Sequence, residues 1–435
     1  MAIVIRNARI VCPLSGLDGP GDIVVDGGCI ARVTPPKSAD IGGFDTVIDA
    51  RGMVAAPGFT DIHVHLREPG GEHKETIETG TAAAARGGFT TVCAMPNTSP
   101  VNDSARTTAW ICKRAALTAK VRVLPIAAVT TGLLGLFLTD FAALKRAGAV
   151  ALSDDGRPVN DVALMRSAME KAKETGLVIA SHSEEPGLSA SGAVNEGPVS
   201  VILRVGGIPW AAETVAVARD VALCELTGAR LHVCHVSREQ TVEVIRLAKS
   251  RGVPVTAETA PHYFSLTDRA VLEKGALAKM NPPLGTERDR QAIVRGLADG
   301  TLDTIATDHA PHARSDKDCG VDNAAFGIVG LETALPLGLS LVREGALTLA
   351  QLLAKLTVNP CLAFNLPHAG IAPGAPADIV LFDPDADFIV NAENFASKGR
   401  NTPFDGLSLK GVVRFTLFSG RVVFGTLPEG SSNGR

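Results

Sequence analysis

Residues 57–94 read PGFTDIHVHLREPGGEHKETIETGTAAAARGGFTTVCA. An apolar run, GFTDIHVH, gives way to the small-residue, helix-forming stretch ETGTAAAARGG and then to a second apolar run, FTTVCAM. Strand, helix, strand in this order is a crossover unit that pairs its strands in parallel. The alternation continues through VRVLPIAAV, GAVALSD, LVIASHS, RLHVCHVS, VPVTAET and DTIATDHAP, with amphipathic segments such as DVALMRSAMEKAKETG and TVEVIRLAKSRG between them. Eight such runs predict an α/β fold, a (β/α)8 TIM-type barrel over residues 57–367.

The flanks are written differently. Residues 1–56 carry short alternating runs broken by Gly and Pro, as in IVIRNARIV and GDIVVDGG, and strands return in PADIVLFDPDADFIV and KGVVRFTLFSGRVVFG. The two ends are therefore expected to form one small β-sandwich domain from residues 1–56 and 368–425, with 426–435 a disordered tail. A chain of 435 residues exceeds what one hydrophobic core usually supports, which suits a large domain beside a small one.

With 46% hydrophobic and 20% charged residues the composition is that of a compact enzyme. A net charge of -4, only 4% aromatics and no basic tract argue against nucleic-acid binding. The start, MAIVIRNARIVCP, alternates like a strand and lacks the apolar core of a signal peptide, and no membrane-spanning apolar run follows. Eight cysteines without a CxxC pair fit reduced thiols in a cytoplasmic protein.

Active sites of such barrels lie at the C-terminal ends of the strands, so the polar residues closing each run matter most. The first run closes as Asp61-Ile62-His63-Val64-His65, where period-two alternation sets His63 and His65 on one face. Taken alone, an HxH is a weak signal. The fifth run closes at His182, the sixth at His235, the eighth at Asp308 and the fourth at Asp154-Asp155. Parity favours Asp155, because positions 149, 151 and 153 share its side while Val150 and Leu152 read as helix-facing. The same argument sets His232 and His309 opposite to His235 and Asp308, as structural residues, and His73 and His368 have no supporting neighbours. Four imidazoles and two carboxylates suit a pair of zinc ions.

The stretch DIHVHLREPGGEHKETIETG, with MPNT, SDDG, HVCHVS, NPPL, TDHAPH and FGIVGLETAL, resembles bacterial class I dihydroorotases of the amidohydrolase superfamily over about residues 5–425. The resemblance implies reversible zinc-dependent cyclisation of N-carbamoyl-L-aspartate to (S)-dihydroorotate, a step of de novo pyrimidine synthesis. By it His63, His65 and Asp308 would bind one metal and His182 and His235 the other, with Asp155 bridging and Asp308 as catalytic acid/base. Arg67, Asn97 and His312 would hold the substrate carboxylate beside His65, and Asn281 with the backbone at Phe326 and Gly327 would face the ring. It also leaves room for a homo-oligomer and for association with aspartate transcarbamoylase. Two positions depart from the pattern: Gly285 stands where Arg usually follows NPPL, and Ala325 where Pro often precedes FG. Hydantoinases and allantoinases share the fold and the first motif but typically bridge their metals with a carboxylated lysine, and here Lys145, Lys171 and Lys173 all fall in helical patterns. A non-catalytic subunit scaffolding the transcarbamoylase would be expected to lose ligand residues, and all six are present.

Overall fold

The computed structural model describes residues 2–36, 44–367 and 370–427. His368 and the tail from residue 428 lie outside the described residues. The eight apolar runs form one eight-stranded sheet in chain order: Phe59–Val64, Phe89–Ala94, Arg122–Ala127, Ala151–Leu152, Val178–Ser181, Leu231–Val233, Val255–Thr259 and Thr304–Ile305. Every neighbouring pair is parallel. The ring closes just past the last strand, where the His65 N–H donates to His309 O at 2.8 Å and Val64 bridges His309.

Helices follow the strands because their boundaries are written locally. Ile77–Arg86 starts at Thr76, whose side chain accepts from Thr79 N–H in a reciprocal capping box, and its buried face is Ala83, Ala84 and Ala85. These short side chains let the helix lie close against the strands. Val162–Thr175 starts on Asp161 and ends at Gly176, whose φ of 72° only glycine adopts without strain. Gly58 meets a tighter constraint, since a Cβ there would lie 2.2 Å from Thr90 Cγ2.

Two apolar layers set where chemistry can occur. Phe89, Val92, Leu152 and Ile179 pack outward among the helices. Ile62, Cys93, Ile126, Ala151, Ala180, Cys234 and Ala306 fill the barrel, and Cys361 and Phe364 of helix Val358–Phe364 complete the same cluster at the strands' N-terminal end. Leu152 thus faces the helices as parity requires, whereas Val150 packs against the inner cluster instead. The apolar filling closes the N-terminal end and leaves the opposite, C-terminal mouth open to polar side chains.

The two ends of the chain build a separate sheet, ordered Arg421–Phe424, Ser408–Phe418, Ile379–Ile389, Val54–Pro57, Ile3–Cys12, Leu17–Asp26 and Cys29–Thr34, with Thr46–Asp49 also paired to Ile3–Cys12. The ends meet where Ile379–Phe382 runs antiparallel to Val54–Pro57. Ile3, Ile5, Ile10, Ile23, Ile379 and Leu417 give this unit its own core. Among the described residues, no helix is long and apolar enough to cross a membrane.

Candidate metal centre

The first strand delivers two imidazoles through a local irregularity. Its register against Phe89–Ala94 slips by one residue between Asp61 and Val64, so Ile62 still fills the barrel while His63 and His65 both face the mouth. Their Nε2 atoms lie 3.4 and 3.2 Å from the same Asp308 oxygen. Asp308 and His235 reach inward through left-handed backbone, with φ of 49° and 38°. Such φ values are uncommon outside glycine and concentrate at functional sites.

The structure brings all six sequence-predicted ligand positions together. Asp155 lies at the centre, its Oδ1 3.5 Å from His63 Nε2, 3.4 Å from His182 Nδ1 and 3.6 Å from His235 Nε2, and its Oδ2 3.5 Å from His65 Nε2. Asp154 turns away and accepts from the Thr130 N–H at 3.0 Å, so of the two carboxylates it is Asp155 that joins the cluster. His309 points behind the mouth to Glu75, 3.4 Å away. His232 corrects the parity reading: it too lies inside the barrel, one layer below, with its ring against Phe364 and its Nε2 3.1 Å from Glu258. Alternation failed there because the positive φ at His235 turns a residue that should point outward back into the barrel.

The donor set fits a cation. His63 Nδ1 donates to Glu258 Oε1 at 2.6 Å, His65 Nδ1 to Asn97 Oδ1 at 2.9 Å, and His182 Nε2 to Glu184 Oε2 at 3.4 Å. Each ring then presents its other nitrogen, a lone pair, to the carboxylates of Asp155 and Asp308. His63 Nε2 is buried without a hydrogen-bond partner. Acceptors facing acceptors in a buried site are costly unless a proton or metal lies between them. Two overlapping triads, His63/His65/Asp308 and His63/Asp155/His235, place their ligand atoms within 4.8 Å of one another, so the cluster can hold a metal ion. Where a proton rather than a metal lies between them, burial works against charge on Asp308, but the charge of His63 and the hydrogen bond from His65 outweigh it and hold its carboxyl down at about 2. Asp155 is likewise held well below the usual range, against burial, by its hydrogen bonds to His182, His235 and His63. Both carboxylates are therefore in their ligating form at neutral pH.

The predicted substrate residues surround the ligand cluster. Arg67, also left-handed at φ 60°, donates through Nε to Pro311 O at 3.1 Å, and its Nη2 lies 3.3 Å from His312 Nε2. Burial, helped by the charges of Arg67, Lys74 and Lys317, pushes the His312 pKa down, which leaves that ring neutral at pH 7. Asn97 spans the ligands, since its Nδ2 also donates to Asp155 Oδ2 at 3.2 Å. Asn281 donates to Glu184 at 2.6 Å, and its Oδ1 is buried without a hydrogen-bond partner. The backbone expected to face a ring is largely engaged within the protein. Phe326 O accepts from His312 at 2.8 Å, and the Gly327 N–H donates to Lys279 O at 3.0 Å.

The dihydro-orotase-like family model matches residues 52–241. Dihydroorotases of Desulforapulum autotrophicum and Syntrophus aciditrophicus are 49% and 48% identical to this chain, each alignment covering 98% of it and 99% of the relative. The chain belongs to the dihydroorotase family. Among solved structures, an L-hydantoinase (dihydropyrimidinase) from Arthrobacter aurescens is similar with a TM-score of 0.87 at 27% identity, covering 98% of this chain and 97% of that one. A dihydropyrimidinase from Brevibacillus agri is similar with a TM-score of 0.84 at 26% identity, covering 98% and 95%.

Both departures from the dihydroorotase pattern have a local cause. A Cβ at Gly285 would lie 2.8 Å from the guanidinium of Arg238, a side chain almost wholly buried, so that space already holds an arginine. The Ala325 N–H donates to Asp316 O at 2.9 Å, a bond proline cannot make. Sequence reading missed Glu258 and Glu184. Glu258 had a signal, as the carboxylate near the end of the seventh run, VPVTAET. Glu184 lies two residues past His182, where the strand has already ended.

Proposed function

We propose that this site interconverts N-carbamoyl-L-aspartate and (S)-dihydroorotate, as the dihydroorotase relatives' name implies, in pyrimidine synthesis. The observation that carries the substrate choice is Arg67. Its half-buried guanidinium, next to the metal-ligand cluster, bonds to a backbone carbonyl and lies beside a neutral imidazole, and no carboxylate forms an ion pair with it among the described residues. A half-buried cation with no carboxylate partner suits an anionic substrate group, here the carboxylate on the ring carbon next to the scissile amide.

His63, His65 and Asp308 would hold one zinc ion and His182 and His235 a second, with Asp155 between them. When bound, such ions make water nucleophilic near pH 7 and polarise the scissile carbonyl. Asp308 takes the proton from the attacking water at its carboxylate and returns it to the departing amide nitrogen. Asn97 holds His65 in the tautomer that keeps Nε2 free, and Asn281 Oδ1 offers an acceptor to a ring N–H. Arg67 binds the carboxylate, with His312 beside it shaping the pocket, and so fixes which face of the ring meets the ligand cluster.

A hydantoinase-type reading rests on the similar solved structures, but at the centre of the ligand cluster, where a bridging lysine would stand, the residue is Asp155. Lys145 and Lys173 cap the backbone carbonyls of Thr175 and Thr227 on the outer surface instead. A non-catalytic scaffold does not explain six converging ligands. Self-association or docking to aspartate transcarbamoylase has apolar surface to use in Leu134, Leu136, Phe137, Val201 and Ile202, and eight free cysteines suit the cytoplasm. Metal analysis of the purified protein, with assays on dihydroorotate and dihydrouracil, tests the assignment. Equal turnover of both substrates would replace it with a broader cyclic amidohydrolase activity.

A further inference from the structure

The wall of the mouth that carries His312 is held by two buried side chains that touch none of the six ligand residues. Lys317 Nζ donates to three backbone carbonyls, Lys279 O at 3.1 Å, Ala325 O at 2.7 Å and Gly327 O at 3.0 Å. That uses all three donors of an ammonium. Asn401 arrives from the C-terminal segment, beyond the barrel. Its Nδ2 donates to Ala310 O at 2.9 Å and Gly327 O at 3.1 Å, and its Oδ1 accepts from the His312 N–H at 3.0 Å. Both side chains are 3% exposed.

The targets of these bonds are the segments that face a ligand. Lys279 stands two residues before Asn281, and Ala310 and His312 flank Pro311, whose carbonyl holds Arg67. Gly327 O accepts from both side chains and is their point of convergence. Gly327 itself has φ 120°, and a Cβ there would lie 2.6 Å from Ala310 Cβ, so the turn sits tightly on the 310–312 segment. Burying an ammonium is expensive, and an apolar side chain would fill such a space at lower cost. Three carbonyls from two separate segments, converging on one cation, fix the spacing between those segments.

We propose that Lys317 and Asn401 are positioning residues for substrate binding, setting the distances among Asn281, His312 and the Phe326–Gly327 turn without touching the metal cluster. The inference rests on the reading above that this wall faces the substrate. Interactions that hold substrate and transition state alike change KM more than kcat, and a displacement of about 1 Å in such a wall can cost on the order of 100-fold.

The test uses metal-loaded protein carrying Lys317→Met, Lys317→Arg or Asn401→Ala. It reads kcat and KM for dihydroorotate, the Kd of orotate as an unreactive planar ring acid, and metal content. Lys317→Met and Asn401→Ala should each raise KM and the orotate Kd about tenfold or more, with kcat within about threefold and metal content unchanged. Lys317→Arg, which keeps a cation and its donors, should recover part of the loss. KM and Kd within about twofold of wild type in a fully metallated variant, or a fall in kcat at constant KM, would overturn the proposal. If Lys317→Met does not fold, Asn401→Ala decides by the same criterion, and failure of both to fold rejects positioning in favour of a purely structural role. Wild-type protein that does not hydrolyse dihydroorotate would sink the reaction assignment. Normal wild-type turnover with unmoved KM in the variants sinks this inference alone.

Discussion

Glu258 Oε1 lies 2.6 Å from His63 Nδ1, and its other oxygen lies 3.1 Å from His232 Nε2. One buried carboxylate therefore orients a predicted metal ligand from below and is itself anchored one layer deeper in the barrel. Carboxylates that accept the second N–H of a ligating histidine fix its tautomer and strengthen its donor nitrogen. Glu258→Gln should lower metal affinity by roughly 10- to 100-fold. Metal retained after dialysis against graded chelator measures this, and wild-type retention would contradict the orienting role.

The proposed ligand and proton-transfer roles of Asp308 can be separated by substitution. Asparagine keeps an oxygen for a metal but cannot take up a proton. Asp308→Asn should therefore retain most of its metal while losing about 100-fold or more of kcat, within the range typical of general acid–base catalysis. Metal analysis and rates on the same preparation check it, and near-normal turnover would remove Asp308 from the proton path.

Arg67 and His312 make the substrate carboxylate the test of specificity. Arg67→Met should raise KM for dihydroorotate by about tenfold or more, the loss expected of a charge-assisted pair, and should shrink its advantage over dihydrouracil. Metal content should stay constant. A variant that loses turnover of both substrates equally would point to a structural role for Arg67.

The barrel is legible because each of its eight runs is apolar, short and bounded by helical periodicity, and the period-two rule puts His63, His65 and Asp155 on the inward side, where both imidazoles lie 3.5 Å from the Asp155 carboxylate. What alternation cannot foresee is a strand that stops obeying it. The ladder of the fourth strand is only Ala151–Leu152, and His235 turns inward at φ 38° after the Leu231–Val233 strand has ended. That turn is why His232 and His235 share the interior, against their parity. Distance along the chain hides the rest: Asn401 meets Gly327 across 74 residues, and Glu258 meets His63 across 195. No local pattern links such partners, because folding selects them for complementary donors and acceptors rather than for spacing.

Lys355 gives a stability prediction independent of the site. It lies on the helix Leu349–Leu356, 5% exposed, and its ammonium donates to Leu302 O at 2.7 Å. Burial pushes its pKa down from 10.5 to about 8, with the charge of Asp303 opposing and that of Lys249 assisting. Between those two pH values the unfolded chain holds more protons than the folded one, so this group makes stability rise with pH from about 8 to above 10. Its stabilising share is complete above the unfolded pKa and is lost as pH falls through 8. At pH 7 the buried charge costs on the order of 3 kcal/mol before credit for its hydrogen bond. Lys355→Met, of similar length and without the charge, should therefore raise Tm at pH 7, and the gain should shrink as pH approaches 10.5. Melting curves of both proteins at pH 7, 8.5 and 10 decide the matter. A variant that is less stable at pH 7 by the same margin as at pH 10 would show that the Leu302 hydrogen bond outweighs the cost of burying the charge.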